Sequence, residues 1–106
     1  MTTKNGLKRA SDVLEKLVGP YTFAMFMRSM RTTMDMTQVE MAKKLKISRQ
    51  ALCEIESGRT PVTAETAAKY ARLGGLSEIV AIESCFQDQL RKAKIDYSVH
   101  LERKAR

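Results

Sequence analysis

Features that indicate an enzyme, a metalloprotein or a membrane protein are scarce in this chain of 106 residues. The chain has one histidine, His100, and two cysteines, Cys53 and Cys85, which lack the spacing of a zinc site or of a disulfide framework. No glycine-rich phosphate loop is present and no histidine is predicted beside Cys53, so we expect no catalysis, no cofactor and no metal. No apolar run is long enough to span a membrane, and no signal-peptide hydrophobic region follows the amino terminus. We therefore expect a cytoplasmic protein in a reducing environment, without a membrane partner.

Positive charge is abundant and unevenly distributed. The formal net charge of +7 suits a polyanionic partner, although it would suit RNA or a membrane surface as well as DNA. Residues 28–72 contain nine Lys or Arg and five Asp or Glu, whereas residues 73–90 contain three acids and no base. Residues 91–106 contain six bases and two acids. We expect the acidic interval to lie away from a bound polyanion.

Residues 36–58 predict two short helices joined by a tight turn. Thr37 and Glu40 have the spacing of a capping box, which starts a helix, and an apolar stripe at helical spacing follows them. Ser48 is a good N-cap for the second helix, and Gly58 suits the end of that helix. Side chains of the second helix that are predicted to face outward are Arg49, Gln50, Cys53, Glu54 and Ser57.

The outward side chains of the second helix suit the reading of DNA bases. Arginine can bond both major-groove acceptors of guanine, glutamine can pair with adenine, and glutamate can accept from cytosine. Arg49 and Gln50 lie in the first turn of this helix, the end that enters the major groove in helix-turn-helix proteins. The alternative interpretation is two ordinary amphipathic helices with a solvated polar face.

Residues 26–75 resemble the Cro/CI-type helix-turn-helix domain, the lambda-repressor-like fold of phage repressors and many small bacterial regulators. The matching motifs are Thr37-Gln38-x-Glu40-x-Ala42, Ile47-Ser48-Arg49 and Ile55-Glu56-x-Gly58-Arg59. Arg31 stands where the family places an arginine that pairs with the glutamate matching Glu56, so the resemblance implies a partly buried ion pair. One departure is Lys46, where the family usually has glycine in the turn. A non-glycine residue with positive φ is strained by about 1 kcal/mol, so we expect either a slightly altered turn or a phosphate contact by Lys46.

The same resemblance implies which side chains meet double-stranded DNA. Gln38 is expected to touch the DNA backbone and to brace the second helix, while Arg59 and Thr60 match a phosphate-contacting loop. Arg49, Gln50 and Glu54 match the base-reading positions. The complete set of predicted DNA-binding residues is Thr37, Gln38, Ser48, Arg49, Gln50, Cys53, Glu54, Arg59 and Thr60.

The predicted fold class is all-α, a lambda-repressor-like domain of about five helices with an extension at each end. Around the motif, helices are predicted at about residues 22–33, 64–73 and 77–93. The predicted divisions are an N-terminal extension with a short helix (1–20), the helix-turn-helix domain (21–75), a C-terminal helix (76–94), and a strand with a basic tail (95–106). The C-terminal helix has a broad apolar face, which we expect to cover the core and to meet a second subunit.

The C-terminal strand is predicted from the alternation of apolar and polar residues over 95–102. Because a lone strand leaves its backbone groups unpaired, we predict that it pairs with the same strand of a twin subunit across a two-fold axis. A frayed tail is the alternative.

Three functions fit these observations. The first is a dimeric transcriptional repressor that reads a palindromic operator through the major groove, with recognition helices about 34 Å apart. The second follows from the resemblance: many small proteins of this kind are antitoxins, which neutralise a partner toxin and repress their own operon. The third is a protein-interaction adaptor that has lost DNA binding, and exposed acids dominating the second helix would favour it.

Overall fold

The computed structural model describes residues 21–105, and all regular secondary structure in that range is helical. The helices are α1 (Phe23–Thr33), α2 (Gln38–Leu45), α3 (Arg49–Glu56), α4 (Ala64–Gly74) and α5 (Glu78–Lys92). The bounds of α1, α4 and α5 agree with the predicted ranges to within one residue, and the all-α class is confirmed. The short helix predicted within residues 1–20 lies outside the described residues.

Each helix begins at a hydroxyl side chain that caps it. The capping side chain accepts a hydrogen bond from the backbone N–H three residues further on, which satisfies one of the amides left unpaired at a helix start. At α2, Glu40 also accepts from the N–H of Thr37 at 2.8 Å, so the predicted capping box is present. The five capping residues are Thr22, Thr37, Ser48, Thr63 and Ser77.

The hydrophobic core lies where the five helices meet. Helix α3 packs mainly against α1 and α2, whereas α5 packs mainly against α4 and α1. Small residues at the α4–α5 contact allow these two helices to approach closely, because Ala67, Ala71 and Ala81 are almost fully buried. The largest fully buried side chains are Phe26, Met27, Met41, Leu45 and Leu52.

A carboxylate of α5 fixes this helix to the start of α1. Asp88 accepts a hydrogen bond from the N–H of Phe23 at 3.1 Å and another from Nη1 of Arg91 at 2.9 Å. A negative charge beside the first amides of a helix is stabilised by the helix dipole. The bond joins residues that are 65 positions apart, so it sets how α5 lies against α1.

The turn between α2 and α3 contains a residue with a left-handed backbone conformation, although this residue is a lysine and not a glycine. Lys46 has φ 61° and ψ 41°, and the N–H of Ile47 donates to the carbonyl of Ala42 at 3.0 Å. Together with the bond from the N–H of Lys46 to Lys43, this is the Schellman pattern that usually ends on glycine. The turn therefore has the ordinary left-handed conformation, and Lys46 carries strain of about 1 kcal/mol.

Replacing Lys46 by glycine is expected to stabilise the protein. The change removes the strained Cβ, and part of the gain is offset by the greater freedom of glycine in the unfolded chain, leaving about 0.5–1 kcal/mol. Urea unfolding of the wild type and the variant measures this difference. Lys46→Ala is the matched control, because it removes the same charge and keeps the Cβ. Equal stabilisation by both variants would show that the charge, and not backbone strain, is responsible.

The segment after α5 is not the strand that the alternation predicts. In the described chain, residues 95–105 form no regular secondary structure and lie along α5. Gln87 donates from Nε2 to the carbonyl of Tyr97 at 2.8 Å and accepts from the N–H of Val99 at 2.9 Å. Glu83 accepts from the N–H of Leu101 at 2.7 Å. The prediction was wrong because side chains of α5 provide the hydrogen bonds that a neighbouring strand was expected to provide.

Candidate nucleic-acid interface

A buried ion pair fixes the far end of α3. Arg31 donates from Nε to Oε2 of Glu56 at 2.8 Å and from Nη2 to Oε1 at 3.1 Å. The side chains of Arg31 and Glu56 are 14% and 4% exposed. Two parallel N–H···O bonds fix the relative orientation of both groups. The ion pair implied by the resemblance is therefore present, and it joins the end of α1 to the end of α3.

The start of α2 is joined to the same carboxylate. Gln38 donates from Nε2 to Oε1 of Glu56 at 3.1 Å, and Arg31 donates from Nη1 to the carbonyl of Met36 at 2.9 Å. Three helices thus meet around Glu56, and the bracing of α3 by Gln38 is seen directly. The contact of Gln38 with DNA stays a prediction. The role of the Met36 carbonyl had no signal in the sequence, because any residue provides a carbonyl.

The first turn of α3 projects polar side chains into solvent. Ser48 caps this turn by accepting from the N–H of Ala51 at 3.0 Å. Arg49 and Gln50 follow and are both exposed, while Cys53 lies half-buried one turn further along. Since Leu52 and Ile55 are buried on the opposite face, α3 cannot rotate to hide its polar side chains without exposing the core.

The loop after α3 is closed by hydrogen bonds to Glu54. The backbone N–H of Arg59 donates to the carbonyl of Glu54 at 3.0 Å, and Thr60 donates from Oγ1 to Oε1 of Glu54 at 3.4 Å. Ser57 donates to the same carbonyl at 2.9 Å and accepts from Nε of Arg59 at 3.1 Å. The predicted phosphate-contacting residues, Arg59 and Thr60, are therefore held against the end of α3 and stay exposed.

The predicted DNA-binding residues lie at the starts of α2 and α3, one turn further along α3, and in the loop that follows α3. Thr37 and Gln38 begin α2, Ser48 and the two residues after it begin α3, and the loop follows α3. Helix starts carry a partial positive charge, which favours phosphate groups. Glu54 is the only acid of the predicted set, and it is half-buried and bonded by Thr60. Exposed acids do not dominate α3, so the structure does not favour the adaptor interpretation.

The two cysteines are expected to differ in reactivity. Cys85 is 2% exposed and donates from Sγ to the carbonyl of Val62 at 2.7 Å. Burial, reinforced by the negative charge of Asp88, raises the pKa of the Cys85 thiol, so little reactive thiolate forms. Iodoacetamide at mildly alkaline pH should therefore modify Cys53 much faster than Cys85, which peptide mass spectrometry measures. In urea both should react, and equal rates in the folded protein would contradict the described burial.

Residues 21–105 contain neither a cluster of metal ligands nor a membrane-spanning helix. In that range, no group of three or more His, Cys, Asp or Glu side chains is placed to hold a metal ion. Within the same residues, no helix combines the length and the apolar character needed to cross a membrane.

Comparison with known families gives one match. A family model described as helix-turn-helix matches residues 27–79, half of the chain. The matched residues include α2, α3 and α4 in full and all nine predicted DNA-binding residues. Neither the curated proteins nor the solved structures gave a match.

Proposed function

The chain belongs to the Cro/CI-type helix-turn-helix family of DNA-binding transcriptional regulators, and we propose that it is a repressor that binds a palindromic operator as a dimer. This family is one of regulators and not of enzymes. The observation that carries the proposal is the exposed first turn of α3, where Arg49 and Gln50 stand on a helix fixed at its other end by Glu56. A rigid helix is needed because base contacts lose their specificity if the helix can tilt.

In the proposed complex, the start of α3 lies in the major groove of double-stranded DNA. Arg49 bonds a guanine and Gln50 an adenine, while Cys53 and Glu54 face the next base pairs. Contacts with the DNA backbone come from residues before α3 and from the loop after it. The residues proposed for these backbone contacts are Thr37, Gln38, Ser48, Arg59 and Thr60.

Two copies of the chain are needed to read a palindrome. A two-fold axis places the two α3 helices about 34 Å apart, so that each reads a half-site one turn of DNA away from the other. Since phosphate contacts displace bound counterions, affinity falls steeply as salt concentration rises.

Binding-site selection from a random duplex pool at near-physiological salt tests the proposal. We expect enrichment of a palindrome whose half-sites are about one helical turn apart. Cys53 should react more slowly with iodoacetamide on the selected duplex, because it lies on the proposed DNA face of α3. Weak, salt-sensitive binding without enrichment would overturn sequence-specific recognition.

The antitoxin function is the second candidate, and apolar side chains exposed after residue 79 favour it. Phe86 and Tyr97 are 38% and 75% exposed, and a partner protein would cover such side chains. Co-purification of a small basic protein that shields them would support this candidate.

The cytoplasmic location also stays a prediction.

A further inference from the structure

A cleft of about 500 Å³ lies between the start of α1, the loop after α3 and the last turns of α5. We call it the α1–α5 cleft. Two hydrogen bonds from α5 hold its walls together: Asp88 accepts from the N–H of Phe23 at 3.1 Å, and Cys85 donates to the carbonyl of Val62 at 2.7 Å. An apolar cavity of about 150 Å³ holds a benzene-sized group, so this cleft has room for several aliphatic side chains. The apolar side chains that line it include Phe23, Met25, Ile55, Pro61 and Val62.

The chain that precedes the described residues enters at this cleft. Thr22, the N-cap of α1, lines the cleft, and residues 1–20 come directly before Tyr21. Val18 is four residues before Thr22, so chain connectivity keeps it within about 14 Å of this wall. A segment tethered so closely has a high effective concentration at the cleft. The residues just before Thr22 are therefore favoured as its occupant over a separate molecule.

Residues 11–18 have the sequence pattern of a short amphipathic helix. Ser11 suits the N-cap, and Gly19-Pro20 suits the end of the helix. A helix this short is not stable by itself in water, so it needs an apolar surface to pack on. Four apolar side chains fall within about 140° on one side of such a helix. They are Val13, Leu14, Leu17 and Val18.

The charges at the rim of the cleft suit the polar side of this segment. Both acids of the lining, Glu56 and Asp88, are already bonded within the described chain. The exposed charged side chains of the lining, Arg28 and Lys92, are both basic. The charged residues of the segment are Asp12, Glu15 and Lys16. Two acids and one base thus meet a basic rim, whereas a basic peptide from another protein would be repelled by it.

We propose that residues 11–18 dock as a helix in the α1–α5 cleft, with Leu14 and Leu17 against its apolar wall, and that they support the loop after α3. Residues of this loop from Gly58 to Val62 form one wall of the cleft. A helix packed against that wall limits how far the loop can move. The docking is independent of the proposed function, whereas the support of a phosphate-contacting loop rests on it.

Amide hydrogen exchange of the full chain, followed by mass spectrometry without DNA, tests the docking. The amides of residues 15–18 should be protected in the wild type. Met25→Ser should accelerate their exchange about tenfold, because it removes one apolar contact in the cleft and changes no residue of the segment. Leu14→Ser combined with Leu17→Ser should remove the protection. Val39→Ser is the matched control, since it removes an exposed apolar side chain outside the cleft, and it should leave the exchange unchanged.

Two results of this experiment would overturn the docking. The first is unprotected exchange of residues 15–18 in the wild type, which would leave the cleft to a partner protein. The second is protection that survives Met25→Ser and is lost in the leucine variant, because the helix would then pack on a different surface. Urea unfolding should show that Met25→Ser and Val39→Ser are folded.

DNA binding tests the support of the loop separately. In fluorescence anisotropy, the combined leucine variant should bind the selected operator several-fold more weakly than the wild type and keep its preference at each base pair. Unchanged affinity in a variant that has lost its protection overturns the support of the loop. If the wild-type segment is protected but the protein selects no DNA sequence, the docking stands and the repressor proposal fails.

Discussion

Replacing Glu56 by alanine is expected to lower the free energy of unfolding by about 3–5 kcal/mol. The variant leaves the guanidinium of Arg31, which is only 14% exposed, without its carboxylate. It also removes the acceptor of the Gln38 amide, so one change loosens the contacts of α1, α2 and α3 together. Since domains of this size are stable by only about 5–15 kcal/mol, part of the variant should be unfolded at physiological temperature. Urea unfolding followed by circular dichroism measures the loss.

Two controls show whether burial is the cause. Arg31→Met combined with Glu56→Leu should cost less than Glu56→Ala alone, because no unpaired charge is left inside the protein. The exposed pair of Arg72 and Glu78, with an N–O distance of 2.7 Å, provides the surface comparison. Glu78→Ala should cost at most about 1 kcal/mol. A loss in Glu56→Ala as small as that in Glu78→Ala would contradict a structural role for the buried pair.

The helices could be predicted from the sequence because their signals are local. Thr37 and Glu40 are three residues apart, and the bonds that they exchange depend on little beyond the start of α2. Ser48, Thr63 and Ser77 mark helix starts in the same way. These capping bonds join residues three positions apart and do not depend on how the helices pack together. The bounds of the helices could therefore be predicted closely.

Contacts between distant residues could not be predicted in this way. Asp88 caps α1 from 65 positions away, and nothing near Asp88 in the sequence marks it as a cap. The tail is the clearest case. Its alternation indicated an extended backbone that needs hydrogen-bond partners, but the identity of the partner depends on the position of Gln87 in the folded protein. The alternation therefore indicates that the backbone of the tail needs hydrogen-bond partners, but it does not indicate which residues provide them.

The candidate site was predicted partly from residue chemistry and partly from the resemblance. Helix spacing alone places Arg49 and Gln50 outward on α3, and both are exposed in the structure. The pairing of Arg31 with Glu56 came only from the resemblance, because 25 residues separate them. The bond from Thr60 to Glu54 was not predicted, since it depends on how the loop closes after α3.

Replacing Arg49 by alanine is expected to remove discrimination at one base pair of each half-site. An arginine that bonds both acceptors of a guanine contributes about 1–3 kcal/mol of preference for that base. Arg49 is suited to this contact because it is exposed in the first turn of α3. In fluorescence anisotropy, the variant should bind the selected operator and a duplex with that base pair changed with similar affinity, whereas the wild type should distinguish them.

Arg59→Ala is the control that separates base reading from charge, because it removes the same side chain from the loop after α3. Arg59 is also exposed, and we expect it to contact a phosphate. Its loss should weaken binding to all sequences alike and reduce the slope of log K against log salt by about one. Preference at the base pair read by Arg49 should persist in Arg59→Ala. If Arg49→Ala instead weakened all sequences equally, then both arginines would act through charge alone, and the direction in which α3 presents its first turn to DNA would have to be reassigned.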